Sequence, residues 1–181
     1  MMYNLTIERP YEHLLNVWQE ILAAVGEVEG HAITIRTALA GDALLLDVRE
    51  EQRDTFNNKD IDYLIRAHAW LMMLSPMNYT VFHNDKILMM ISISLIADGV
   101  AEISFLTDNN FVNSSRLVKI AMLKAFKEAT DFLPFRRLQA KVKEGFDIGT
   151  RFVERMGMVS EGVLQKYGPE GDNYIMYGKV R

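Results

Sequence analysis

The apolar positions change period along the chain, and each change marks an element. Over residues 11–25, which begin at Tyr11, the side chains Leu14, Leu15, Trp18, Ile21, Leu22 and Val25 share one face at helical spacing. This predicts an amphipathic helix whose stripe must be covered, either as a brace on the core or by another subunit. Residues 32–37 alternate instead, with Ile33 and Ile35 on one side, the period of a half-buried strand. Gly41 and Asp42 then open a helix that Asp42 can cap. Between residues 60 and 73, Ile61, Leu64, Ile65, His68, Leu71 and Met72 return to the helical period, and Pro76 closes the segment.

A meander follows. Residues 79–83 and 86–96 flank Asn84-Asp85, and Asp98-Gly99 separates the second run from residues 100–106. Asp-Gly between apolar runs predicts a two-residue hairpin with positive φ at both turn positions, giving three consecutive antiparallel strands. Residues 114–131 carry Val118, Ala121, Met122, Ala125, Phe126 and Ala129 on one side of a helix that Pro134 ends. A short strand over 138–142 precedes a short helix that buries Ile148, Phe152, Val153 and Met156 and stops at Gly157. A hairpin of strands 159–167 and 173–180 completes the pattern. No repeat, linker or low-complexity tract interrupts it, so the expected organisation is a helical extension over 1–31 and one α/β domain over 32–181.

Composition narrows the function. A chain of 181 residues suits a single core. Its apolar runs fall short of the roughly 18 residues that cross a bilayer, and its first residues lack the charged-then-apolar order of a secretory signal. No membrane partner is expected. The absence of cysteine excludes disulfides and thiolate chemistry and suits a reducing cytoplasm. A net charge of −4 argues against a nucleic-acid partner, although Arg136, Arg137, Lys141 and Lys143 gather around one predicted strand and Arg151 and Arg155 on the helix after it. These cations are either a solvated face or partners for phosphates. His68 reads as a core histidine and His83 as a turn residue. The eleven methionines are core filler or the lining of an adaptable groove. No spacing of histidines or carboxylates suits a metal.

From Val100 onward the order is strand, long helix, strand, short helix, hairpin, and three short stretches carry a resemblance. They are Arg137-Leu138-Gln139-Ala140-Lys141-Val142, then Phe152-Val153-Glu154-Arg155-Met156-Gly157-Met158, then Ser160-Glu161-Gly162-Val163-Leu164. The chain resembles the GNAT (acyl-CoA N-acyltransferase) superfamily over residues 32–180, with its specific motifs in the C-terminal third. It is similar to the branch that acetylates N-termini of ribosomal proteins, and also to GNAT-like internal virion proteins of some short-tailed phages. The resemblance implies a mixed central sheet with helices on both faces. It also implies acetyl-CoA as co-substrate, lying in a gap between the strands at 100–106 and 138–142, and a protein or small-molecule amine as acceptor.

On that reading the backbones of Phe105 and Leu106 pair with the pantetheine arm and polarise the thioester. The segment Asn110, Val112, Asn113, Ser114, Ser115 and Arg116 stands where the superfamily has a glycine-rich loop for the pyrophosphate; here it contains no glycine, and a serine-capped helix start is the alternative reading. Phe146 stands where relatives have an asparagine that contacts the cofactor arm, Gly149 where they have a serine, with Thr150 beside it, and Val153 where many have a tyrosine acid. Glu102 and Glu161 are the candidate bases, each otherwise a surface strand carboxylate. Two functions remain open: an acetyl-CoA-dependent N-acetyltransferase, or a non-catalytic structural or binding protein with this fold, in the host cytoplasm or a phage particle, assembling through the 11–25 helix or as a homo-oligomer.

Overall fold

The computed structural model describes residues 12–25, 27–28, 31–49, 52, 75, 77–168 and 170–181. The helix expected over 60–73, with His68, lies outside them. Helix α1 (Glu12–Val25) leads into the two-residue strand β1 (Glu27–Val28) and β2 (His31–Thr37), followed by α2 (Ala40–Leu45). Next come β3 (Met77–His83), β4 (Lys86–Ala97), β5 (Val100–Thr107), the short α3 (Asn109–Asn113) and the long α4 (Arg116–Asp131). Strand β6 (Arg137–Lys143), helix α5 (Asp147–Arg155) and strands β7 (Val159–Leu164) and β8 (Tyr174–Val180) end the chain.

The strands lie in the order β1-β2-β3-β4-β5-β6-β8-β7. Every adjacent pair is antiparallel except β5 with β6. A parallel pair needs a crossover, and α4 supplies it. At the β3–β4 turn Asn84 and Asp85 both take positive φ, 51° and 59°, as a two-residue hairpin of this twist requires. The β4–β5 turn differs from expectation. Gly99 is left-handed at 66° but Asp98 is not, because an irregularity between Leu95 and Ala97 absorbs part of the twist.

Among the described residues the core forms two clusters, one on each face of the sheet. The larger packs Ile91, Ile93 and Ile103 from the sheet against Met122 and Phe126 of α4 and Trp18 of α1. A bulge in β4 sets Val81 opposite Met89 and Phe82 opposite Ile87, so that Leu88 and Met89 both enter this cluster. The smaller cluster joins Leu46 and Val48 to Ile87, Met90 and Leu106 on the opposite face. Trp18 decides what covers the first helix: it is 1 % exposed, stacks on Tyr79 at 5.5 Å and lies 5.6 Å from Phe126. At this position the stripe is a brace on the chain's own core rather than a subunit contact. Burial also pushes the Tyr79 phenol up to about 12.

Asp42 fastens α2 to the sheet. It stands at the third helical position instead of ahead of the helix, and its carboxylate accepts hydrogen bonds from the Leu39 N–H (2.8 Å), both Arg36 guanidinium nitrogens (2.8 and 2.6 Å) and the Thr80 hydroxyl (2.6 Å). Burial alone would raise its pKa; the Arg36 guanidinium, the Leu39 N–H and Thr80 outweigh burial and hold it below the usual carboxylate value.

Candidate active site

Strands β5 and β6 pair only at their beginnings, through Val100–Arg137, Ala101–Leu138 and Glu102–Gln139. Beyond Glu102 they part, and a cavity of about 180 Å³ opens between them, walled by Phe105, Ala140, Val142, Phe146, Phe152 and Tyr174 among others. Because backbone groups alternate along a strand, Phe105 and Thr107 turn theirs toward this gap, while Leu106 turns its own to Met90 of β4. The Phe105 ring stands edge-on to Phe152 at 5.0 Å and tilted against Phe126 at 5.6 Å, so the cleft floor is continuous with the larger core.

The freed edge is not bare. The Gln52 side chain donates to the Phe105 carbonyl (2.9 Å) and accepts from the Thr107 N–H (2.8 Å) and the Thr107 hydroxyl. One carboxamide thus bridges a carbonyl and an N–H two residues on, as an amide of an added strand would. Arg49 lies beside it, its backbone N–H donating to the Thr107 carbonyl at 3.3 Å and its guanidinium 5.5 Å from the centre of the Phe146 ring.

The predicted cofactor residues divide between separate places. Phe105 and Phe146 line the cleft. Asn110, Asn113, Ser114 and Ser115 line a different cavity with His83 and Lys86, which shares no described wall residue with the cleft. Val112 belongs to a third cavity, and Thr150 and Arg116 line none of the three. Part of the segment expected to cradle an anion is bonded internally. Asp108 caps α3, its carboxylate accepting from the N–H groups of Asn110 (2.6 Å) and Asp47 (2.7 Å), and it is 1 % exposed. Ser115 caps α4 by accepting from the Val118 N–H at 3.3 Å. At α3 the N–H groups that would favour an anion are taken by the chain's own oxygens, and at α4 the Ser115 hydroxyl takes that of Val118.

Phe146 and Gly149 are a matched pair. A Cβ at Gly149 would come within 2.5 Å of the Phe146 ring, so the ring folds over the first turn of α5 only because residue 149 is glycine. The two departures from the GNAT pattern are therefore one change in packing.

The two candidate bases differ in surroundings. Glu102 sits at the last paired position before the gap, its carboxylate held by Lys141 Nζ (2.8 and 3.0 Å) and Gln139 Nε2 (3.1 Å). Lys141 lines the cleft and also donates to the Tyr167 hydroxyl at 2.6 Å. Burial would lower the Lys141 pKa, but hydrogen bonds to Glu102 and Tyr167 outweigh it and keep the ammonium charged. Glu161 lies at the closed end, forming a two-pronged pair with Arg137 (Nη1 to Oε1, 2.8 Å) above Gly178, where any Cβ would collide with the carboxylate. The Arg137 hydrogen bonds lower its pKa, which weakens it as a base.

Sequence reasoning did not single out Gln52, Arg49, Asp108 or Tyr174. The Tyr174 hydroxyl is buried without a hydrogen-bond partner among the described residues, and its side chain walls the cleft. Such an orphan is a point where a bound molecule can make its bond. Among the described residues no group of three or more His, Asp or Glu is placed to hold a metal ion, and no helix is long and apolar enough to cross a membrane.

No protein-family model matches the chain, and no curated protein sequence does. Solved structures do. A ribosomal-protein-alanine N-acetyltransferase from Brucella melitensis superposes with a TM-score of 0.61 at 15% identity, covering 82% of this chain and 99% of that one. Ard1 from Thermoplasma volcanium gives 0.61 at 17% identity over 82% and 97%. The yncA protein of Salmonella typhimurium, solved with its cofactor acetyl-CoA, gives 0.57 at 13% identity over 82% and 93%. The parted parallel pair, the α4 crossover and these superpositions together identify the chain as a protein with the GNAT fold.

Proposed function

We propose that the protein is an acetyl-CoA-dependent N-acetyltransferase in which an amine attacks the thioester directly. The observation that carries this reading is the gap between β5 and β6, with the Phe105 and Thr107 backbones aimed into it. A thioester carrier with amide groups in an extended arm can pair with that edge in place of the Gln52 carboxamide, exchanging one amide for another. The Phe105 N–H then polarises the thioester carbonyl. As the nitrogen–carbon bond forms and the carbon–sulfur bond breaks, the proton leaving the amine passes to Glu102 and the departing thiolate takes a proton from the buried Tyr174 hydroxyl. Lys141, which lines the cleft, holds the Glu102 carboxylate where the strands begin to part. Glu161, tied to Arg137, has a structural part here.

A second reading rests on Asp108 and Gln52, which place the chain's own groups in part of the anion cradle and of the free strand edge. On it the protein is a non-catalytic member of the fold that binds or assembles, as in the virion resemblance. Calorimetric titration with acetyl-CoA, using desulfo-CoA as control, separates the two. Micromolar binding with acetyl transfer to peptide or polyamine amines supports the enzyme. Absence of binding at millimolar ligand removes it and leaves the second reading.

A further inference from the structure

The Lys141 ammonium occupies a place that an acceptor amine would need. Lys141 lines the cleft where β5 and β6 part, two residues beyond Gln139, the partner of Glu102 in the last paired position. Its Nζ lies 2.8 and 3.0 Å from the two Glu102 oxygens, donates to the Tyr167 hydroxyl at 2.6 Å and stands 4.8 Å from the centre of the Tyr167 ring. A carboxylate, a phenol oxygen and an aromatic face together suit a primary ammonium, which has three protons to donate and a charge that a ring face attracts. This arrangement is braced from behind. Tyr167 stands edge-on to Tyr174 at 5.4 Å, and Gln139 Nε2 holds the Glu102 carboxylate at 3.1 Å independently of Lys141. The cations on either side along the same face of β6 are matched elsewhere, Lys143 by Asp172 at 3.2 Å and Arg137 by Glu161. Lys141 is matched instead by the group that takes the acceptor's proton.

We infer that Glu102 and Tyr167 form the seat for the acceptor's ammonium, that Lys141 fills this seat in the resting protein, and that the acceptor is a primary amine ending an unbranched carbon chain. The class follows from the present occupant. The Lys141 and Glu102 side chains are only 22% and 23% exposed, which leaves room for a slim methylene chain. An α-amine stands on a carbon that also bears a side chain and a carbonyl, and is too broad for it. A lysine side chain and a free diamine share the required chemistry. The acceptor role rests on the acetyltransferase reading; the competition between Lys141 and an added ammonium does not. On binding, the acceptor displaces the Lys141 ammonium and gives Glu102 one proton, which passes on to water. The neutral amine then attacks the thioester. Its second proton goes to Glu102 as the nitrogen–carbon bond forms and the carbon–sulfur bond breaks.

The test measures cadaverine binding by calorimetry, and acetyl transfer to cadaverine and to two peptides. One peptide has a single lysine and a blocked N-terminus; the other has a free N-terminal alanine and no lysine. Wild type is compared with Lys141→Met, which keeps an unbranched chain and removes the charge, and with Lys141→Arg, which keeps the charge. The expected result is cadaverine binding about tenfold tighter in Lys141→Met than in wild type, with no gain in Lys141→Arg. The KM for the lysine peptide should fall by a similar factor, and the alanine peptide should be the poorer substrate of every form. Whichever of cadaverine and the lysine peptide is acetylated faster names the source of the amine. Tyr167 is half exposed, so Tyr167→Leu added to Lys141→Met should keep the fold and weaken cadaverine binding by roughly threefold. Equal cadaverine affinity in all forms would overturn the seat, as would a gain that Lys141→Arg shares. Preferred transfer to the alanine peptide would overturn the acceptor class while leaving the acetyltransferase reading intact. Tighter cadaverine binding by Lys141→Met, with acetyl-CoA left unbound by every form, would keep the ammonium seat and remove the acetyltransferase reading.

Discussion

The two halves of the sheet are buried by different rules. In β4 the seven residues from Ile87 to Ile93 are all buried, because α1 and α4 cover one face and the α2 segment the other. In β6 burial alternates residue by residue, and β7 is exposed along nearly its whole length. A strand covered on both sides reads as a continuous apolar run, and one covered on a single side alternates. Strand β5 is the boundary. It stays bonded to the doubly covered half along its whole length but to the other half only as far as Glu102. The difference shows why the candidate site lies where it does: where a ladder stops, other groups must take up its bonds, and here Gln52 takes the Phe105 carbonyl and the Thr107 N–H.

The sharpest way to break the comparison is truncation in each half. Ile93→Ala, at a fully buried site, should lower stability by about 3 kcal/mol. Val163→Ala on β7, about half exposed, should change it by less than about 0.5 kcal/mol. Equal urea midpoints for the two would contradict the contrast. A smaller loss, about 2 kcal/mol, is expected for Asp42→Asn, which loosens the cover on the second face. Its pH dependence carries a sign. The folded pKa of Asp42 lies below its unfolded value near 3.8, so its contribution is fully present above that pH and disappears as pH falls through the lowered folded value. Wild type should therefore lose stability faster than Asp42→Asn below about pH 4, and parallel curves would refute the assignment. A further effect lies at the seam. Gln52→Ala removes the carboxamide that competes for the β5 edge and should tighten pantetheine binding by roughly tenfold; weaker binding would mean that Gln52 holds the cleft open instead.

Much of this fold was legible because its signals are local. The alternation of Ile33 and Ile35, the Asn84-Asp85 turn, the α4 stripe and the left-handed Gly157 each declare an element within a few residues. The cover of the second face was not legible. Leu46 and Val48 follow a six-residue helix and show no period long enough to count. The site was legible only in outline. The gap follows from the order of elements, but the groups that fill it act over long separations: Gln52 bonds Phe105 across 53 positions, and Asp108 bonds Asp47 across 61. No window of sequence holds such a pair. Phe146 and Gly149 looked like two independent departures from the GNAT pattern, since a ring folded over its own helix start is visible only in three dimensions.

The central claim is that the gap between β5 and β6 receives the arm of a thioester cofactor. Hydrogen–deuterium exchange of the amides, with and without saturating acetyl-CoA, tests it most directly. The account predicts new protection at the Phe105 N–H and in residues 140–143, with no change in β3 or β4, whose amides are already paired. Protection confined to residues 110–116, or none at any ligand concentration, would contradict it.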